Sequence, residues 1–285
     1  MFKLMFTNAI DQTVELFDRP YRLIRVEGIG DTEAITQMQK VPFQDGASYI
    51  GSILEDKPIE IELKITGDSE QDLNAKRRYF ASVFNPKLGV GTLRYISGGD
   101  VKEIDAVAES VPNFPDGQTN RKPLFQKALL YIRAPYPYWR DPNQTSQPLQ
   151  AYSGNLTMPN TFPIEMGRSG SHTTLYNNGD ILAPVRIDIQ GPVTNPQIIN
   201  RTNGDWIRVN RSIAADEILH IDTTNGKKRV EVYRNGRVFN VFGYLDHDSD
   251  WLQLDVGENL IEHIADSGDT SGMIAVTWNN QYVGI

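Results

Sequence analysis

His172, His220, His247 and His263 are the side chains of this chain best suited to proton transfer or metal ligation near neutral pH. No pair has the i, i+4 spacing that sets two imidazoles on one helical face, and none lies in a helix-like pattern. A Ser–His–Asp triad has no fixed spacing along a chain. The nearest approach to a nucleophile elbow, Gly167-Arg168-Ser169-Gly170-Ser171, lacks the final Gly and reads as a polar loop. Asp246-His247-Asp248-Ser249-Asp250 begins like a calcium loop. The positions that need Gly and Glu hold Trp251 and Gly257, so it reads as an acidic turn before a strand. Gly28-x-Gly30 is followed by Glu33 where a dinucleotide fingerprint needs its third Gly, and Gly89-x-Gly91 fails in the same way. There is no cysteine, which removes disulfides, thiolate metal sites and thiol nucleophiles together. No catalytic residue, metal or cofactor is expected, and the chain does not read as an enzyme.

Two further groups could bind rather than react. Lys76, Arg77 and Arg78 make a basic cluster, but no Gly-rich loop accompanies it, and a solvated helix face is the simpler reading. Trp139, Trp206, Trp251 and Trp278 could stack on sugar rings. Trp251 and Trp278 sit in apolar strand contexts, where core packing is the default. A glycosidase would need two carboxylates about 5–10 Å apart in a cleft; Asp246, Asp248 and Asp250 offer only proximity in sequence. Sequons at Asn143, Asn155, Asn200 and Asn210 read as chance in an Asn-rich chain.

The elements that would carry these residues are mostly strands. Val14–Phe17 and Tyr21–Val26 are short β-rich runs split by Asp18, Arg19 and Pro20. Residues 40–49 read as loop. Ile59, Ile61, Leu63 and Ile65 alternate with polar residues through Thr66, the period of a half-buried antiparallel strand. One helix is expected over about 69–84. Ser69 is its N-cap, Asp72 stands at the capping-box position, and Leu73, Phe80 and Phe84 form the apolar stripe beside Tyr79 and Val83. Strands follow at Thr92–Ile96, Val101–Val111 and Phe125–Ala134.

Residues 134–163 then turn rich in Pro, Asn, Ser and Gln. The expected organisation is a first domain over 1–140, a linker over 141–164 and a second domain over 165–285. The second reads as all-β, with runs at Val185–Gln190, Trp206–Val209, Ile218–Asp222, Arg229–Tyr233, Trp251–Leu254 and Met273–Trp278. Asn203-Gly204, Asn225-Gly226 and Asn235-Gly236 are tight-turn signals between them.

With 285 residues the chain is long enough for two such domains. A pI near 5.1 argues against a dedicated nucleic-acid binder. The net charge of −8 is uneven. Residues 1–140 hold 18 Lys and Arg against 19 Asp and Glu, and residues 141–285 hold 10 against 17. No apolar run reaches the ~18 residues of a membrane span. The opening MFKLMFTNAI has no signal-peptide pattern.

Taken in order, these features resemble the siphophage distal tail protein (Dit) family. The first half of the resemblance rests on Thr7-Asn8, the Gly28 turn, Asp45-Gly46 and the 59–66 strand. It continues through Phe84-Asn85-Pro86, Gly91-Thr92-Leu93, the Asp105–Pro112 strand and Ala134-Pro135-Tyr136-Pro137-Tyr138-Trp139. The second half rests on Asn178-Gly179, Pro184, Gly191, Asn195-Pro196, Ile221-Asp222-Thr223, Asn235-Gly236, Trp251–Leu254 and Gly257-Glu258-Asn259. The resemblance implies a mainly β chain: an N-terminal β-sandwich or split-barrel-like ring domain with one helix, and a C-terminal galectin-like β-sandwich.

It also implies a homo-hexameric ring at the virion tail tip, assembled in the bacterial host cytoplasm. The implied partners are the tail tube protein, a tail-associated lysin or hub protein, the tape measure protein, and receptor-binding or accessory baseplate proteins. Strand-edge pairing is one way to close such a ring. The strand carrying Ile59, Ile61, Leu63 and Ile65 is the expected contributor to the contact. The alternative reading is a carbohydrate-binding adhesion module that recognises a host cell-surface saccharide.

Overall fold

Residues 2–43, 45–149, 171–268 and 273–285 are described by the computed structural model. They form two units: Met1–Pro142 with Tyr282–Ile285, and Asn143–Gln281. The division falls between Pro142 and Asn143. Thr145–Leu149, read as linker, is a strand of the second unit, and the last four residues return to the first.

The first unit contains β1 (Phe2–Thr7), β2 (Thr13–Leu16), β3 (Tyr21–Glu27), β4 (Ala34–Gln39), β5 (Ser48–Leu54), β6 (Lys57–Thr66), helix α1 (Glu70–Val83), β7 (Gly91–Ser97), β8 (Asp100–Ala108), β9 (Arg121–Lys122), β10 (Phe125–Ala134) and β11 (Trp139–Arg140). The main sheet runs β2-β1-β7-β8-β10-β6-β3. Only Ile132–Ala108 and Arg133–Val107 join β10 to β8, so the sheet folds there into two halves. Its end strands meet at a single bridge, Phe17 with Arg22, without closing a barrel.

The alternation at 59–66 does what period 2 requires. Every second side chain of β6 is buried, and β10 and β3 pair with its two edges. Helix α1 covers the core with the expected stripe. Leu73, Phe80, Val83 and the C-cap Phe84 are buried, and Phe84 stacks on Phe6 at 4.7 Å. Tyr79, which continues the stripe in sequence, is exposed, and its hydroxyl donates to the Thr13 carbonyl. The N-terminus is capped as the sequence suggests. Ser69 Oγ accepts from Asp72 N at 3.1 Å, and Asp72 Oδ2 accepts from Asp68 N at 2.8 Å. These contacts satisfy donors that the helix itself cannot.

The second unit contains β12 (Thr145–Leu149), β13 (Ser171–Asn177), β14 (Ala183–Gln190), β15 (Val193–Thr194), β16 (Gln197–Asn200), β17 (Trp206–Arg208), β18 (Ser212–Ile213), β19 (Glu217–Asp222), β20 (Arg229–Arg234), β21 (Arg237–Asn240), β22 (Gln253–Leu254), β23 (Gly257–Ile264) and β24 (Ile274–Trp278). One sheet runs β12-β24-β14-β19-β20-β21 and the other β13-β23-β16-β17. Both contribute to one core, with Val185, Ile187 and Ile189 from the first and Ile198, Ile207 and Ile261 from the second. This is a β-sandwich. Of the three Asn-Gly pairs, Asn235-Gly236 alone has both residues at positive φ, 49° and 72°, and closes the β20–β21 hairpin as a type I′ turn should.

Candidate assembly surfaces

Within the first unit, β4 and β5 pair only with each other. Ile35 lies opposite Ile53 and Met38 opposite Tyr49. Ile35 is 54% exposed and Ile53 62%, and Ile50 and Val41 are open as well. Phe43, in the connecting loop, is fully exposed and holds a left-handed φ of 65°. The polar contacts of the hairpin are largely internal: Tyr49 to Ser52, Ser52 to Thr36, and Glu55 N to the Glu33 carbonyl. A two-stranded hairpin with both faces wet is marginal by itself. Contiguous apolar exposure of this kind marks an interaction surface.

The expected ring-contact residues stand elsewhere. Ile59, Ile61, Leu63 and Ile65 are each 0–1% exposed, inside the core of their own unit. Both edges of β6 are already paired. Within the protomer their alternation faces the core of their own unit. Exposed apolar side chains cluster on β4 and β5, which flank a loop inside the 40–49 segment that reads as loop.

The residues weighed for chemistry serve local structure. His220 Nδ1 is 2.6 Å from Asp188 Oδ1, and His263 is buried in β23. Asp246 accepts from Asn210 Nδ2 and from Asp248 N, and these bonds, the Asn210 one first, hold its carboxyl below the usual range. Burial, with Asp250 and Asp255 nearby, pushes Asp205 upward. Among the described residues no group of three His, Asp or Glu is placed to hold a metal ion. Residues 167–170, of the Gly167–Ser171 segment, and the sequon at Asn155 lie outside the described residues.

Other motifs have structural employment. Gly28 takes φ 82° where a Cβ would come within 2.0 Å of the Pro58 carbonyl oxygen, so the glycine serves a close backbone approach. Lys76 pairs with Asp72 at 2.7 Å, and the Arg77 guanidinium lies over Phe114. Trp139 and Trp278 are buried, whereas Trp251 is half-buried with Lys228 above its ring and Phe242 beside it. Asn200 is buried and donates to Asn259 Oδ1 at 2.9 Å, which leaves it closed to glycosylation.

Two family models place this mainly β chain among phage tail structural components. Residues 16–130 match the phage tail protein RIFT-related domain, and residues 177–282 match the siphovirus-type tail component, C-terminal domain. The chain belongs to the siphophage distal tail protein family. It is similar to the crystal structure of SPP1 Dit (gp 19.1), described as a paradigm of the hub adsorption apparatus in phages infecting Gram-positive hosts. That likeness has a TM-score of 0.70 at 14% identity and covers 99% of each chain. It is also similar to chains of the phage P2 baseplate in its activated conformation with Ca and with Sr, each at a TM-score of 0.58 and 11% identity over 100% of both chains. No curated protein sequence matches the chain.

Proposed function

We propose that this protein is the structural hub of a long-tailed phage or prophage tail tip. Six copies form a ring through the first unit. The ring joins the tail tube protein and tape measure protein on one side to a tail-associated lysin or hub protein on the other. The second unit, a sandwich of galectin-like type, offers attachment for receptor-binding or accessory baseplate proteins. Assembly takes place in the host cytoplasm, and the finished ring belongs to the virion.

The observation that carries this reading is the β4–β5 hairpin. Its apolar side chains are exposed in the single chain and gain most from burial against a neighbouring copy. A ring needs a contact between two different patches that closes on itself, and a projecting hairpin that meets another part of the next subunit supplies one. The nearly neutral first 140 residues suit a lumen that DNA passes through, since a strongly basic wall would hold the phosphate backbone. Mass in solution together with negative-stain images tests the proposal. A ring of about six times 32.1 kDa supports it. Closed rings of another copy number, or ring contacts confined to the second unit, would overturn it.

A further inference from the structure

The face of the β12-β24-β14-β19-β20-β21 sheet opposite its buried side carries polar groups that ring formation through the first unit does not use. Register sets Asp188 of β14 opposite His220 of β19, His220 opposite Glu231 of β20, and Glu231 opposite Asn240 of β21. Side chains directly opposite one another point to the same face with Cβ atoms about 5 Å apart. The four therefore make one polar row across four strands. Two residues along, Ile218, Tyr233 and Val238 make a parallel row with one aromatic ring. On the other side Arg186, Asp222 and Arg229 make a third.

Contacts within this grid hold it in shape. The His220–Asp188 pair fixes the imidazole, whose ring meets Tyr233 edge-on at 5.7 Å. The Tyr233 hydroxyl is 3.4 Å from Glu231 Oε2. Arg186 and Arg229 lie 3.5 and 3.6 Å from the buried Asp222 carboxylate. Open capacity remains: the Tyr233 residue is 38% exposed and the Asp188 side chain 46%. Asn240 accepts from Phe242 N, and its NH2 donors have no partner among the described residues.

We infer that this face binds a neutral pyranose of a saccharide. The C–H face of the sugar ring would lie on Tyr233, with Glu231 and Asp188 accepting from sugar hydroxyls and Asn240 donating to one. The charges decide the ligand class. Three carboxylates stand against two guanidiniums; both guanidiniums are engaged with Asp222, and Arg229 also lies 3.9 Å from Glu231 Oε2. A phosphate or uronate would meet net repulsion, whereas hydroxyl donors meet carboxylates whose second oxygens, Asp188 Oδ2 and Glu231 Oε1, can still accept. An exposed tyrosine ring beside fixed polar groups gives apolar contact at low entropy cost together with orientation. Trp139 and Trp278 are buried, Trp251 is half-buried with Lys228 above its ring, and the half-buried Trp206 stands on β17 in the other sheet, so none of them belongs to this grid. The inference stands on the second unit alone and is independent of ring formation.

Saturation-transfer NMR on the full chain with methyl glucoside, methyl galactoside, methyl N-acetylglucosaminide and methyl rhamnoside tests it. Saturable binding of at least one is expected, weakened tenfold or more in Tyr233→Ala and close to parental in Tyr233→Phe. Glu231→Gln, a nearly isosteric change at a position only 22% exposed, should also weaken binding, and a matched melting curve shows that it folds. No saturable binding to any of the four overturns the inference. So does binding that survives both Tyr233→Ala and Glu231→Gln, or a partner protein held by this face with no saccharide bound.

Discussion

The indole Nε1 of Trp139 donates to the carbonyl of Ile29 at 3.1 Å, across 110 residues of sequence. The Nζ of the buried Lys57 donates to the same carbonyl, also at 3.1 Å. A carbonyl oxygen has two lone pairs, and here both are taken. The end of the first unit's chain is thus tied to the loop that begins at Gly28.

That tie separates two losses at Trp139. Trp139→Phe keeps most of the packing and loses one donor, so it should cost about 1 kcal/mol. Trp139→Ala also empties the space of a fully buried indole and should cost about 3–5 kcal/mol. Chemical unfolding at neutral pH gives both numbers. Equal costs would mean that the hydrogen bond, and not the packing, dominates.

The hairpin gives a prediction with the opposite signature. Ile35 and Ile53 face each other on β4 and β5 and are exposed in the protomer. Ile35→Asp with Ile53→Asp sets two like charges opposite each other on the hairpin and should cost the single chain about 1 kcal/mol, while leaving intact the core of the first unit, to which the hairpin contributes no buried residue. It should abolish the ring, because two carboxylates cannot be buried unpaired at a contact. Light scattering is expected to give a mass near 32.1 kDa for the variant. A variant that still forms rings removes the hairpin from the contact.

The second unit depends on a buried amide. Asn259 is fully buried; its Oδ1 accepts from Asp255 N at 2.8 Å and from Asn200 Nδ2 at 2.9 Å. Its Nδ2 donates to the carbonyls of Asp255 at 2.8 Å and Gly257 at 3.1 Å. Asn259→Ala leaves several of these groups unpaired, so a loss of about 2–4 kcal/mol is expected from urea titration. Asn259→Asp keeps the acceptor but loses both donors and adds a buried charge, and should lower stability further.

These residues also mark where sequence reasoning succeeds and stops. The β6 strand was legible because one of its faces is buried, and burial imprints period 2 on the residue types. The same pattern says nothing about what covers that face; in the protomer Ile59, Ile61, Leu63 and Ile65 are covered by their own core. The β4–β5 hairpin carries no clean alternation. Both of its faces are exposed in the protomer, and the bulge between Gln37 and Met38 sets Ile35 and Met38, three residues apart, opposite Ile53 and Tyr49, so no period 2 marks β4. The α1 stripe was legible apart from Tyr79, whose hydroxyl bond to Thr13 requires the fold. The Asp188–His220–Glu231–Asn240 row exists only through register, and its members are spread over 53 positions of chain with no local motif.

Tyr21 supplies a pH dependence with a fixed sign. It is buried under α1, stacks on Phe80 at 5.3 Å and donates its hydroxyl to the Lys76 carbonyl at 3.1 Å. Burial first, then Tyr79 and Asp72, push its phenol up from 10.0 to about 12. For an acid whose folded value is raised, the native state holds its proton more tightly than the unfolded chain between those two values. Stability from this group is therefore complete below about pH 10 and is lost as pH climbs towards about 12. Tyr21→Phe has no phenol to ionise. It should cost about 1 kcal/mol at neutral pH through the lost hydrogen bond, yet decline less steeply than the parent above about pH 10. Urea titrations of both proteins at about pH 8 and about pH 11 measure the difference. A stability gap that stays constant between them would show that Tyr21 ionises alike in the folded and unfolded chain.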